Sequence, residues 1–223
     1  MEALDTTSFL NDGRWTGSLF IGAGELSGSM VLRSAQRRSV VSAERCQVRE
    51  GAARAARKTR LFVVANDLRS SVTLTFGSAL RPMQAAHEVK LFMRRCGHHR
   101  ERFPYLWVLE RGERRGRVHC HLLLPASMGH IAAEMWSHGT VDVVVTPPNF
   151  EALRRSAAYV AKAFDSPVLD GQRYKVPKGF QPEAIPITAA NAELLVQEAE
   201  ALMGVPALFD RRSGLTVSAQ WES

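Results

Sequence analysis

Arg117-Val118-His119-Cys120-His121-Leu122-Leu123-Leu124 carries two patterns at once. Side chains alternate across a β-strand, so Val118, Cys120, Leu122 and Leu124 share one side and form an apolar stripe suited to a core. His119 and His121 share the other side, one residue apart along the strand, where two imidazoles can grip one cation. The bland alternative is a pair of exposed strand histidines. The choice rests on what the rest of the chain brings to that face.

Immediately upstream, residues 105–110 read as a strand and residues 111–116, charged and flanked by glycines, as a hairpin turn. That hairpin sets Glu110 across from the histidines. Two imidazoles and one carboxylate suit Mn²⁺ or Mg²⁺ acting as a Lewis acid, or Zn²⁺. The competing reading pairs Glu110 with Arg114 or Arg115 at the surface.

Around this hairpin the local signals alternate between strand and helix. Residues 71–76 are β-branched and alternating and stop at Gly77. Residues 82–96 form a helix with Pro82 at its start and Gly97 beyond its end, and Met83, Ala86, Val89 and Met93 trace its core stripe. A short helix at about 130–136 is followed by a strand at 141–146 and by Pro147-Pro148. Asn149 then caps a helix running to about Phe164, with Glu151 well placed for its dipole. The order strand, helix, strand, strand, helix, strand, helix predicts an α+β fold, with helices laid on one side of a mainly antiparallel sheet of the split-βαβ, RNA-recognition-like plan.

Outside this core, residues 1–32 show one or two weak strands, and residues 50–59 an Ala-rich helix. Residues 165–187 hold five prolines and two glycines and read as a loop. An acidic helix is expected at about 189–203, and a weak strand at 215–217. The domain reading is a basic N-terminal extension (1–59), a core (60–165), a linker (166–187) and a C-terminal helical extension (188–223).

Bulk properties narrow the partners. The 223 residues carry 29 Lys and Arg against 22 Asp and Glu, a net charge of +7. Such an excess favours a polyanion, nucleic acid before an anionic membrane. The basic run at 33–60, in which Arg54, Arg57 and Lys58 lie on the predicted helix, is expected to touch phosphates, as are Arg94, Arg95, Arg100 and Arg102. A solvated face is the plainer alternative. Three scattered cysteines without a C-x-x-C support neither a zinc knuckle nor a disulfide framework and fit a reducing compartment. No signal-peptide pattern opens the chain, and no apolar run reaches the roughly 20 residues of a bilayer span. The expectation is a soluble, cytoplasmic protein without a membrane partner.

The helix after Asn149 adds the last candidates. Phe150, Leu153, Ala157, Val160 and Phe164 form its apolar stripe. Arg155, Tyr159 and Lys162 lie beside it on one face. A tyrosine flanked by two cations is a plausible nucleophile, since positive charge favours phenolate and holds a phosphodiester close. By itself it equally describes a boundary residue with a wet hydroxyl.

Taken in order, Thr73-Leu74-Thr75 on a strand, Glu110 with His119-Cys120-His121, and Tyr159-Val160-Ala161-Lys162 on a helix resemble the HUH endonucleases. Among these the chain is most similar to the single-tyrosine rolling-circle replication initiators of plasmids and phages. The resemblance covers about residues 60–165 and implies a five-stranded antiparallel sheet with flanking helices. It implies Glu110, His119 and His121 as ligands of a divalent cation (Mn²⁺ or Mg²⁺), Tyr159 as nucleophile, and Lys162 and Arg155 as phosphate contacts. The implied activity is nicking and rejoining of single-stranded DNA at a replication origin through a 5′-phosphotyrosine, with a host helicase and polymerase as partners. Cys120 departs from the larger hydrophobe usual between the two histidines, although a buried cysteine packs as a small apolar residue. The nucleophile helix holds a single tyrosine, so a two-tyrosine mechanism is not supported. A mobilisation relaxase or a transposase would use the same chemistry. A rival of another class is a non-catalytic module that stacks single-stranded nucleic acid on sheet aromatics such as Tyr105 and Trp107.

Overall fold

The structure is a computed structural model, and it describes residues 14–31, 45–98, 102–112, 116–164 and 174–222. It divides into two compact units, residues 51–181 and residues 1–50 with 182–223.

The larger unit is a mixed α+β layer built on a five-stranded sheet. Its strands are β3 (Ser70–Thr75), β4 (Leu106–Arg111), β5 (Val118–Leu124), β6 (Val141–Val145) and β7 (Tyr174–Lys175), in the order β6-β3-β5-β4-β7. Every pairing is antiparallel. Helix α1 (Arg45–Ala65) leads into the sheet, α2 (Pro82–His98) crosses from β3 to β4, α3 (Gly129–Met135) from β5 to β6, and α4 (Phe150–Ala161) follows β6.

Alternation along the strands sorts the side chains onto two faces. On one, Val72 and Leu74, Trp107 and Leu109, and Val118, Cys120, Leu122 and Leu124 join Ala85, Val89, Phe92 and Met93 of α2 and Ala132 of α3 in one buried cluster. Trp136 completes it, packing edge-on against Phe76 at 5.3 Å and Phe92 at 5.1 Å and donating its indole N–H to the Thr75 carbonyl at 3.0 Å. The other face presents Thr73, Glu110, His119 and His121, and α4 lies against it, with Tyr159 edge-on to His121 and Ser156 bonded to Thr146. Helices thus cover both faces, which corrects the expectation of helices on one side. The burial of β4 and β5 shows why: Leu106, Val108 and Leu123, on the histidine face, are as buried as Trp107 and Leu122, and a sheet apolar on both sides needs a cover on each.

The smaller unit joins segments from the two ends of the chain. Strands β1 (Trp15–Phe20), β2 (Glu25–Met30), β8 (Ile185–Ala189), β9 (Phe209–Ser213) and β10 (Thr216–Gln220) form a second antiparallel sheet, ordered β8-β1-β2-β10-β9. Helix α5 (Ala192–Met203) packs on it through Leu195, Val196 and Ala199, over a core containing Trp15, Leu19, Leu26, Val217 and Trp221. Gly17 and Gly28 face each other in register, and a Cβ on Gly28 would stand 2.5 Å from Leu195 Cδ2. Their bareness lets the helix settle close to the strands.

Two features of the sequence reading change here. The segments read as separate extensions contribute strands to one sheet, which pairing between residues some 170 positions apart requires and no local pattern signals. The stretch read as a loop supplies β7 and β8; residues 165–173 lie outside the described residues. The hairpin tip at 113–115, with Arg114 and Arg115, also lies outside them, as do Arg100 and most of the basic run before Arg45.

Candidate metal and tyrosine site

Sheet register gathers the first three candidates. Glu110 of β4 lies directly opposite His119 of β5, and Val108 opposite His121. From one carboxylate the chain thus reaches both imidazoles: Glu110 Oε2 is 2.8 Å from His121 Nε2 and 3.5 Å from His119 Nε2. One ligand atom from each of Glu110, His119 and His121 falls within 4.8 Å of the others. Two ligands about 2.1 Å from a cation, at right or tetrahedral angles, stand roughly 3.0–3.4 Å apart. The Glu110 distances straddle that range. The nitrogen and oxygen donor set suits a borderline or hard divalent cation, so these residues fit one.

His121 is held from behind. Its Nδ1 is 3.3 Å from Thr73 Oγ1, and Thr73 is its register partner on β3. A hydroxyl both donates and accepts. With the proton on Nε2, His121 donates to Glu110 and Nδ1 accepts from Thr73. With Nε2 free to bind a cation, Nδ1–H donates to Thr73 instead. The ring keeps its orientation in either tautomer, as the outer partner of a ligating histidine does. Burial lowers the His121 pKa from its ordinary 6.5, with His119 adding to the effect and the hydrogen bond from Glu110 opposing it. The neutral ligand form is favoured as a result.

Tyr159 reaches the same place from α4. Asn149 caps that helix, its side chain accepting from the Ala152 amide at 2.8 Å, and Leu153, Ala157 and Val160 fix the buried face. Tyr159 is 55% exposed, and its ring meets His121 edge-on at 5.6 Å. Lys162, at the C-cap of α4, holds its Nζ 5.8 Å from the centre of the Tyr159 ring. Tyr159, Glu110 and His119 line a hollow of about 830 Å³ with Arg117, Gly112, Thr75 and Thr140. Across Tyr159, a second hollow of about 350 Å³ is bordered by Thr73, Asp142, Ser156 and Arg155.

The remaining candidates divide. Arg155 borders this second hollow and is ion-paired to Glu151 one turn earlier. Arg94 and Arg95 are exposed near the end of α2, on the helix packed against the opposite face, so the structure does not bring them to the histidines. Arg54 and Lys58 are exposed on α1, and Arg57 is half-buried there. Trp107 is wholly buried in the α2 cluster and offers no stacking surface, whereas Tyr105 is partly exposed at its margin. Glu110 is engaged by the histidines. Arg117, Thr140 and Asp142 were not singled out from the sequence, because an isolated Arg, Thr or Asp beside a strand carries no local signature.

Residues 69–166 match the family model described as replication-associated protein ORF2, a span of less than half the chain that takes in Thr73, Glu110, both histidines and Tyr159. No curated protein and no solved structure matches the chain. Among the described residues no helix is long and apolar enough to cross a membrane.

Proposed function

Starting from the similarity of residues 69–166 to replication-associated proteins, we propose that this chain initiates replication by nicking and rejoining single-stranded DNA. The observation that carries the reading is the convergence of Tyr159 with Glu110, His119 and His121 on one open hollow. A buried metal site without a nearby nucleophile would fit a structural role, and a tyrosine remote from the ligands would fit a boundary residue. Here the phenol stands at the rim of the ligand set with more than half its surface open to solvent.

In this reading Glu110, His119 and His121 hold a divalent cation, Mn²⁺ or Mg²⁺, which when bound supplies Lewis-acid polarisation of the scissile phosphate. Thr73 keeps the His121 ring aligned. Lys162 and Arg155 set positive charge beside the phenol, which favours its attacking form and holds the phosphodiester against it. The Tyr159 oxygen bonds to phosphorus as the 3′ oxygen leaves, giving a 5′-phosphotyrosine and a free 3′-OH. Attack by that hydroxyl regenerates the phosphodiester and frees the phenol, so rejoining needs no external energy source. The large hollow on the ligand side suits a sugar–phosphate segment lying across the histidine face.

The test mixes purified protein with end-labelled single-stranded DNA from the replicon that encodes it, with and without Mn²⁺, on a denaturing gel. Label shifted to the mass of the protein, lost with chelator and lost in Tyr159→Phe, is the expected result. Cleavage that persists in Tyr159→Phe but fails in His121→Ala would replace the tyrosine with metal-activated water. Retention on a native gel, with neither adduct nor cleavage along the whole replicon, would leave a binding module.

A further inference from the structure

On the far side of the sheet from Tyr159, a groove of about 570 Å³ runs between the end of α2, the lead into β4, and the segment after β7. Its lining combines three cations, Arg102, Lys175 and Lys178, with three aromatic rings, Phe103, Tyr105 and Phe180, and includes no carboxylate. The cations are exposed and the rings half-buried. Phe103 and Tyr105 stand together, their centroids 5.9 Å apart and their planes tilted by 58°. The walls are tied down by backbone contacts. Arg102 donates to the Lys178 carbonyl at 3.2 Å, Asn66 donates to the Phe180 carbonyl at 2.9 Å, and Lys175 sits in register with Trp107 of β4.

We propose that this groove is a second binding site for single-stranded DNA, in which Lys175, Lys178 and Arg102 contact phosphates and Tyr105 stacks on a base. Cations alone would serve any polyanion. Rings alone would serve any apolar segment. Interleaved in one groove they match a chain that alternates phosphates with flat π-faces, which is how single strands are held without regard to sequence. A duplex hides its base faces and would engage only the cations. The proposal rests on single-stranded DNA being the substrate of the Tyr159 site.

Tyr105 lies five residues before Glu110, about 17 Å at the rise of a strand, and the groove opens from the opposite face. It touches neither the ligands nor Tyr159. It therefore acts on binding and leaves the chemistry alone, keeping hold of a flanking part of the strand while the nick is open. Arg94 and Arg95, close to Met93 and Gly97 in the groove wall, extend the positive surface at that end.

The experiment uses the full chain carrying Tyr159→Phe, so that binding is read without turnover, and a fluorescein-labelled oligothymidylate of about 20 nucleotides, long enough to span more than one site. Anisotropy is followed as salt is raised. Replacing Lys175 and Lys178 together by Gln should reduce the slope of log affinity against log salt by about 1.4, two phosphate contacts at about 0.7 each. Tyr105→Leu should weaken binding roughly five- to a hundredfold with the slope unchanged, and Tyr105→Phe, which keeps the ring, should restore it. Affinity and slope unchanged in the lysine variant and in Tyr105→Leu would overturn the proposal. Equal losses for the oligothymidylate and for a duplex of the same length would also overturn it, leaving a charged patch. The two readings separate cleanly. Groove variants that keep both affinity and phosphotyrosine adduct, in chains with Tyr159 intact, remove the groove and leave the nickase. Groove variants that lose binding in a protein that forms no adduct do the reverse.

Discussion

Replacing Thr73 with Val tests whether the strand behind His121 tunes the cation site. Valine keeps the β-branched shape on a half-buried strand position, so packing against β5 and β6 is preserved and only the hydroxyl is lost. Its hydrogen bond to His121 Nδ1 spans 3.3 Å, toward the long end for such a contact. The stability cost should therefore stay under about 1 kcal/mol. Metal affinity should respond more. Loss of the outer partner of a ligating histidine costs roughly ten- to a hundredfold, and the long contact argues for the lower end, about tenfold or ~1.4 kcal/mol. Isothermal titration with Mn²⁺, beside urea unfolding of the chelated protein, reads both quantities on one preparation. Thr73→Ser retains the hydroxyl and should bind almost as the parent does, whereas His121→Ala should bind far more weakly than either. Mn²⁺ affinity unchanged in Thr73→Val, or lowered equally in Thr73→Ser, would refute the assignment of Thr73 as the group that orients the ring.

Two other perturbations follow from close packing and from burial. Gly139→Ala would set a Cβ 2.4 Å from the Thr75 carbonyl oxygen, a backbone atom with little room to yield. It should cost about 1–3 kcal/mol in urea unfolding and also weaken Mn²⁺ binding, because Thr75 is the register partner of His119; a neutral result on both would contradict the placement of this turn. Burial raises the Cys96 thiol from 9.0 to about 11 and pushes Cys120 up as well. At pH 8 about one Cys96 in a thousand is then thiolate, so a Cys46→Ser protein should take up no thiol reagent until it unfolds. The sign for stability follows from linkage. Both thiols hold their protons longer in the folded chain than in the unfolded one, so their contribution is intact below about pH 9 and is lost as pH rises toward 11; urea midpoints that stay level across that window would count against the burial of both thiols.

Much of the site was legible because its parts obey local periods. His119 and His121 share a face through the two-residue repeat of a strand, and Val118, Cys120 and Leu122 fill the core through the same repeat. Tyr159 escapes burial beside Leu153, Ala157 and Val160 through the 3.6-residue repeat of α4, with Asn149 marking its start. Glu110 was reachable as well, since a short hairpin leaves few registers open to it. Arg94 and Arg95 show where this reasoning stops. Their charge was plain, but the face of the sheet that α2 covers depends on how β3 and β4 are paired with β5 between them.

By itself, then, the sequence determined which side chains share a strand face or a helix face, and hence the histidine pair, its acidic neighbour and the tyrosine beside an apolar stripe. Only the tertiary structure decided that α4 closes over the histidine face, that Thr73 stands behind His121, and that β7 builds a basic, aromatic groove with the lead into β4. It alone also joined strands from the two ends of the chain into one sheet. The reason is the range of the forces that specify each. Alternation and helical periodicity are properties of a few consecutive residues. Register and sheet order are won by the burial of whole faces against segments distant in the chain, which no short stretch encodes.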